Sequence, residues 1–297
     1  MANESESKKK YGLLGREISY SLSPVMHNAA FRHFDIPAEY ELFDVENKDL
    51  DSFLERVMVG EISGFNVTVP YKVAIYDAFK TRKNCALDDT AERLGAVNTV
   101  KPEDSGLKGY NTDGSGFYES LKEDAGFDLK GKNVFIFGTG GSGRAICIYL
   151  AFLGEDGPEN IHLYDVAELR LLELESECNA KTGRDICKNV KRADIGETMA
   201  RCDLVVNATP LGTKERDPLP FSGDYLYDGM TVFDLVYCRQ TELVRQAKEK
   251  GLKAVNGEGM LISQAAYAFN LWTSRDLKET KRIMKEAFFE KRKETSV

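Results

Sequence analysis

Stretches of continuous or alternating apolar residues take turns with stretches of helical period along most of this chain. Tyr11–Gly15 predicts a short strand running into a turn. A helix follows from Val25 to Phe34, with Ser23 as N-cap and Pro24 at the first helical position. Tyr40–Val45 alternates as a strand, Leu50–Val59 is helical, and Gly64–Val69 is a β-branched strand that stops at Pro70. Val73–Thr81 is helical again. Ala96–Val100 and Leu107–Tyr110 predict a strand pair around a Pro102–Gly106 turn. After Thr112 a helix over Gly114–Ala125 ends at Gly126. Lys132–Phe137 then reads as a buried strand that enters a Gly-rich turn, followed by an apolar helix over Arg144–Leu153. Further strands are predicted at Asn160–Tyr164, Asp203–Ala208, Thr231–Val236 and Lys253–Val255, with a helix at Leu169–Cys178. Such alternation implies a parallel sheet with right-handed crossovers. Beyond Gly259 the chain is helical, with a break near Asn270–Arg275. The predicted class is α/β with two domains, one over 11–113 joined by C-terminal helices 263–297, the other over 114–262, with an active site in a deep cleft between them.

Composition narrows the function classes. At 297 residues, 42% hydrophobic and 30% charged, the chain is globular in character and long enough for two ordinary domains. A net charge of −8 leaves no clustered Lys/Arg surface for nucleic acid, so a small-anion site has to be built locally. The longest mostly apolar run, Asn133–Thr139, is far short of a membrane span. Met1–Lys10 is polar and charged and is expected to be a solvated arm without an export signal. Six cysteines (Cys85, Cys147, Cys178, Cys187, Cys202 and Cys238) are scattered with no C-x-x-C pair, which suits a reducing cytoplasm. His27, His33 and His162 form no ligand motif, and no metal is expected.

The strongest chemical signal is Gly138-Thr139-Gly140-Gly141-Ser142-Gly143. It follows a predicted strand and opens a predicted helix, the context in which such a loop cradles a pyrophosphate on free N–H groups and the positive end of a helix. An ordinary Gly-rich βα turn is the rival reading. The second domain is accordingly expected to be Rossmann-type. Asp165, 22 residues beyond Gly143 at the end of the next predicted strand, suits a ribose 2′-hydroxyl and repels a 2′-phosphate. It could equally cap the following helix. A second set of polar residues gathers at predicted strand ends: Ser21, Ser23, Asn66, Thr68, Lys72, Asn98, Asn111 and Asp113. Each alone reads as a turn or capping residue. Together with a dinucleotide fold they suit hydride transfer, which needs a proton acceptor beside a reacting hydroxyl and donors for a polar substrate.

Eight stretches carry a family resemblance: Ser21–Asn28 (SLSPVMHN), Asn66–Lys72 (NVTVPYK), Gly95–Thr99 (GAVNT), Asn111–Gly114 (NTDG), the Gly loop, Asn207–Pro210 (NATP), Asp234–Tyr237 (DLVY) and Gly259–Ala266 (GMLISQAA). In these, and in their order from about residue 11 to about 275, the chain resembles the shikimate dehydrogenase family, including its quinate/shikimate branch. The resemblance implies reversible oxidation of the C3 hydroxyl of shikimate to 3-dehydroshikimate, in aromatic amino acid (chorismate) biosynthesis. An NAD-dependent quinate/shikimate dehydrogenase of quinate catabolism is the alternative. It implies Lys72 and Asp113 as a catalytic dyad and Ser21 and Ser23 on the substrate carboxylate. Thr68, Asn98, Asp113 and Gln264 would bind ring hydroxyls, with Asn66 and Tyr237 nearby. Cofactor contacts would come from Gly138–Gly143, Asp165, Arg170, Asn207, Thr209, Leu235 and Gly257. A monomer or homodimer without nucleic-acid or membrane partners is implied.

The departures bear on the cofactor. NADP-using members typically carry Asn-Arg-Thr after the strand, where this chain has Tyr164-Asp165-Val166, with Arg170 five positions on. NAD is therefore expected, with NADP as the alternative. Pro210 in place of Ser and Gly143 in place of Ala are expected to be neutral. Methylenetetrahydrofolate dehydrogenases and glutamyl-tRNA reductases share related architectures, but no Cys lies in the substrate motifs, as the latter would require. A non-catalytic sensor would not need both Lys72 and Asp113.

Overall fold

The structure, a computed structural model, describes residues 8–295. Residues 1–7 of the expected arm, and residues 296–297, lie outside the described residues. Lys9 and Lys10, expected in that arm, instead open strand β1 (Lys9–Gly15), which pairs along its length with β2 (Ala38–Asp44). Backbone pairing carries the strand two residues past the apolar run, and the lysine side chains remain exposed.

The chain forms two compact units, one made of residues up to Thr112 and from Ile262 onward, the other of Asp113–Leu261. In the first unit the elements are β1, α1 (Ser23–His33), β2, α2 (Leu50–Met58), β3 (Gly64–Val67), α3 (Lys72–Thr81), β4 (Cys85–Leu87), α4 (Asp89–Leu94), β5 (Thr99–Glu103) and β6 (Gly106–Tyr110). They form one sheet in the order β2-β1-β3-β5-β6-β4. β5 runs antiparallel to both its neighbours and the other pairings are parallel. The hairpin is tighter than its sequence suggests. β5 starts at Thr99, and the ladder closes through Glu103 and Gly106, leaving Asp104–Ser105 as the turn. Gly106 has φ +132°, and a Cβ there would meet the Asn84 carbonyl at 2.0 Å, so no other residue fits.

α2 buries Leu50, Phe53, Leu54 and Val57, the i, i+3, i+4, i+7 stripe of an amphipathic helix. It packs with Phe65, Ile75 and Phe79 in one continuous core, where each fully buried side chain contributes about 1.5–3 kcal/mol. Two C-terminal helices, α10 (Glu258–Thr273) and α11 (Leu277–Thr295), return to this unit. Trp272 of α10 donates to the Val100 carbonyl at 3.0 Å and its ring lies 5.0 Å from that of Tyr11, while Glu279 of α11 meets His33.

The second unit contains α5 (Asp113–Glu123), β7 (Asn133–Phe137), α6 (Gly141–Ala151), β8 (Asn160–Tyr164), α7 (Glu168–Thr182), β9 (Cys187–Asn189), α8 (Ile195–Met199), β10 (Leu204–Asn207), β11 (Thr231–Asp234), α9 (Glu242–Glu249) and β12 (Lys253–Asn256). All its sheet pairings are parallel, in the order β12-β11-β10-β7-β8-β9. That order reverses direction between β7 and β10, the doubly wound arrangement in which ligands bind at the carboxyl ends of the strands beside the switch point. β10 and β11 are buried at every residue, as a two-face-covered parallel sheet requires. No described helix is long and apolar enough to cross a membrane.

Candidate active site

Among the expected substrate residues of the first unit, Ser21 and Ser23 bond each other, and Asn66 and Asn98 lie on a hydrogen-bonded path that runs from Tyr40 to the Gln264 carbonyl. Ser23 is not the N-cap of α1: the helix begins at Ser23 and Leu22 occupies the cap without a side-chain bond. Ser21 caps instead, its Oγ accepting the Ser23 N–H at 3.3 Å while its hydroxyl donates to Ser23 Oγ at 3.2 Å. Tyr40 reaches across β1 and donates to Asn66 Oδ1 at 2.8 Å. Asn66 donates to Thr99 Oγ1 at 2.9 Å, and Thr99 donates to Asn98 Oδ1 at 2.9 Å. Asn98 donates to Thr112 Oγ1 at 2.9 Å, and Thr112 donates to the Gln264 carbonyl at 3.1 Å. Every donor on this path has an acceptor in the same sense, so the hydroxyls and amides fix one another's orientation. Burial holds the Tyr40 phenol well above its ordinary value, so Tyr40 stays an O–H donor.

Tyr40, Thr99 and Thr112 were not singled out in the sequence, although Thr99 and Thr112 fall within its motifs. Asn66 has its amide oxygen and both N–H groups engaged, the second N–H on the Asn98 carbonyl, so it holds β3, β5 and the chain before β5 in register. Asn111 donates to the Ala96 carbonyl at 3.0 Å. Thr68 lies just past β3, its N–H on the Leu14 carbonyl, and is half-buried. Lys72 opens α3, half-buried, with its carbonyl receiving the Val97 N–H at 2.9 Å. Gln264 lies half-buried on α10.

Beside this path His27 is fully buried and stacks on the Tyr40 ring at 4.2 Å, with no hydrogen-bond partner on either nitrogen among the described residues. Burial lowers its pKa to about 3. The folded state thus keeps this imidazole neutral where the unfolded chain protonates it below about pH 6.5. Stability is therefore lost as pH falls from about 6.5 toward 3, by about 2 kcal/mol between pH 7 and pH 5 from this group alone. Denaturant titrations at both pH values should show that His27→Phe removes this part of the acid sensitivity. An unchanged pH slope in the variant would reject it.

The second unit carries the remaining residues. Asp113 opens α5 and is 4% exposed. Gly138 has φ +91°, and a Cβ there would meet the Ala208 backbone at 2.9 Å. A Cβ at Gly143 would meet the Gly138 carbonyl at 2.0 Å, so in this chain Gly143 is what lets α6 press onto β7. At Gly140 and Gly141 a Cβ would meet nothing within 4 Å, which leaves that side of the loop open to a ligand. Gly140 is the N-cap of α6 and supplies no side-chain bond to its N–H groups, and Ser142 follows in the first turn, half-buried. One glycine for the turn, one for ligand approach and one for helix packing are the features a pyrophosphate cradle needs, so these residues fit a dinucleotide.

Asp165 braces this loop. Its Oδ2 accepts the Thr139 N–H at 2.7 Å and the Thr139 hydroxyl at 2.9 Å, and its Oδ1 accepts the Ala167 N–H at 2.8 Å. The exposed Arg170 guanidinium lies 3.7 Å from Oδ1. Burial pushes the carboxyl up, but the hydrogen bonds from Ala167 and Thr139 and the Arg170 charge outweigh it and hold its pKa below the usual value. The N-cap of α7 is Ala167, so Asp165 caps that helix only by reaching two residues ahead.

Asn207 is fully buried at the end of β10. It donates to Asp234 Oδ1 and the Leu211 carbonyl and accepts from the Thr209 N–H and hydroxyl, which shapes the loop after β10. Asp234, missed as a site residue, also accepts from Thr241 at 2.6 Å and the Val236 N–H; burial raises its pKa. A Cβ at Gly257 would meet the Leu235 carbonyl at 2.2 Å, so only glycine lets these two segments touch. Tyr237 follows β11 and is half-buried.

A doubly wound unit with a built pyrophosphate cradle, accompanied by a unit with an ordered hydroxyl and amide path, defines a dinucleotide-dependent enzyme of two-unit α/β type. Residues 13–100 match the shikimate dehydrogenase substrate binding domain. The chain is 34% identical over 284 residues to a shikimate dehydrogenase (NADP(+)) of Geobacillus kaustophilus, covering 94% of this chain and 99% of the relative. Its fold is similar to that of a shikimate 5-dehydrogenase from Listeria monocytogenes in complex with shikimate and NAD, with a TM-score of 0.84 and 32% identity over 96% of this chain and 99% of that one. It is also similar to a quinate dehydrogenase from Corynebacterium glutamicum in complex with NAD, with a TM-score of 0.84 and 29% identity over 95% and 99% of the two chains. The chain belongs to the shikimate dehydrogenase family.

Proposed function

We propose that this protein interconverts shikimate and 3-dehydroshikimate in aromatic amino acid biosynthesis, with NAD as its preferred nicotinamide cofactor. The observation that carries the reading is the ordered path from Tyr40 to the Gln264 carbonyl, with the Ser21–Ser23 pair beside it in the same unit, whose hydroxyl and amide groups suit a small polyhydroxylated acid. The preference for NAD rests on the ionised, braced Asp165. The Listeria and Corynebacterium structures hold NAD, while the Geobacillus relative is named for NADP. All six cysteines are free, in keeping with a reducing, cytoplasmic setting.

When bound, the nicotinamide supplies the hydride acceptor for C3. Lys72 accepts the proton of the C3 hydroxyl during oxidation and returns it during reduction, with Asp113 as its partner and as acceptor for a ring hydroxyl. Ser21 and Ser23 hold the carboxylate with neutral hydroxyls, positioning it without a charge clamp. The test is a steady-state rate matrix, shikimate and quinate against NAD and NADP, followed at the reduced-nicotinamide absorbance. Shikimate oxidation with NAD is the expected leading rate. No absorbance change with either acid would reject the reading.

Ser21→Ala and Ser23→Ala should each raise the KM for shikimate several-fold with kcat nearly unchanged, because the carboxylate is remote from C3 and is held alike in ground and transition states. Ser21→Ala also removes the acceptor for the Ser23 N–H at the start of α1, so it should lower stability by about 1 kcal/mol as well. A large fall in kcat at constant KM would contradict the carboxylate role.

A further inference from the structure

Three cysteines on three different elements converge inside the second unit. Cys147 lies on α6, Cys178 on α7 and Cys187 on β9, and all three are fully buried. Cys187 Sγ is 2.9 Å from Cys178 Sγ and 3.4 Å from Cys147 Sγ, and all three sulfurs lie within 4.8 Å of one another. Ordinary packing explains one buried cysteine as a small hydrophobe. It does not explain three sulfurs gathered at one point, where methyl-bearing side chains would fill the volume without weak donors facing one another. With metal–sulfur bonds of about 2.3 Å, sulfurs around one ion stand a little under 4 Å apart, which the cluster meets with sub-ångström adjustments.

We propose that Cys147, Cys178 and Cys187 form a three-thiolate site for a soft, thiophilic metal ion. Binding of a divalent ion replaces three S–H protons with three metal–sulfur bonds, leaves one net negative charge and releases the protons to solvent. The Arg144–Glu177 ion pair stands beside the site, Glu177 being the residue before Cys178. Thiolate donors with no nitrogen or carboxylate among them select soft ions over magnesium or calcium. Entry requires opening at β9, a three-residue strand at the edge of its sheet, where local unfolding is inexpensive. Because Cys147 is four residues beyond Gly143 on the helix that carries the Gly loop, a bound ion would also tie α6 to α7 and β9.

The test uses the full chain with the exposed Cys238 and half-buried Cys85 replaced by serine, fully reduced and freed of metal by chelation, then titrated with cadmium. One tightly bound ion per chain is expected, with a thiolate-to-cadmium charge-transfer band, release of three protons and a raised Tm. Cys147→Ser, Cys178→Ser and Cys187→Ser should each weaken binding at least tenfold, while Cys202→Ser should not. Should a serine variant fold poorly, X-ray absorption on the unaltered protein counts the ligands directly: three sulfurs support the site. A shell of nitrogen and oxygen, binding that survives all three substitutions, or no band at all overturns it.

Discussion

Lys72→Met is expected to lower kcat for shikimate oxidation by at least about a hundredfold, the low end for losing a general acid–base group, with KM changing far less. The expectation rests on where the backbone carries the amine. β3 ends at Val67, Thr68 hangs from the Leu14 carbonyl, and the chain turns through Pro70 into α3, which Lys72 opens. The Lys72 carbonyl is held by the N–H of Val97, the neighbour of Asn98 on the hydrogen-bonded path. The amine is therefore presented from a segment fixed on two sides by backbone hydrogen bonds. Methionine keeps the length and apolar stem of lysine, so the loss isolates the proton transfer. Asp113→Asn should also lower kcat and, unlike Lys72→Met, raise KM, because in the proposed reaction Asp113 would accept a ring hydroxyl as well as serve Lys72. Near-normal kcat for Lys72→Met from about pH 7 to 10 would show that another group or water moves the proton.

What the sequence revealed and what it hid divide along physical lines. The central strands β7, β10 and β11 were legible because a parallel strand covered on both faces is a continuous apolar run, as Val134–Phe137 and Leu204–Val206 are. The edge strands β4 and β9 were not, since three residues with one pairing partner need no such run. α4 was hidden by its brevity, although Asp88 accepts the Ala91 N–H and Gly95 closes the helix at φ +64°, a signature of both ends. α9 also went unread, though Thr241 caps it and Leu243, Val244 and Ala247 face inward. At the site, the motif residues were legible singly. Their connection was not, because Tyr40 joins Asn66 only by spanning β1, and that adjacency exists only once the order β2-β1-β3 is formed. The same holds for the cysteines, which no spacing rule groups: α6, α7 and β9 bring them together. Gly143 was expected to be neutral relative to alanine; the 2.0 Å approach of a Cβ to the Gly138 carbonyl shows that this loop is built for glycine.

Asp165→Asn is expected to raise the NADP-to-NAD ratio of kcat/KM by about thirtyfold, corresponding to about 2 kcal/mol of like-charge repulsion removed. The charge is present in the starting protein: despite burial, the N–H groups of Ala167 and Thr139, the Thr139 hydroxyl and Arg170 keep the carboxyl ionised. A 2′-phosphate brings close to two further negative charges to the strand end where a ribose hydroxyl would otherwise donate to that carboxylate. Substitution does more than neutralise. Asparagine offers one acceptor where the carboxylate uses two, so the Thr139 or the Ala167 N–H loses its partner and the Gly loop slackens for both cofactors. Absolute rates should therefore fall with NAD and NADP alike, and the ratio is the quantity that reports the charge. Arg170, now 3.7 Å from the carboxylate, is released by the substitution to meet the phosphate. Adding Arg170→Ala to Asp165→Asn should remove most of the gain, whereas Arg170→Ala alone should leave the preference for NAD in place. If the unaltered protein already prefers NADP, or if the ratio stays fixed while both rates fall, then Asp165 acts on the loop through Thr139 and not on the ribose.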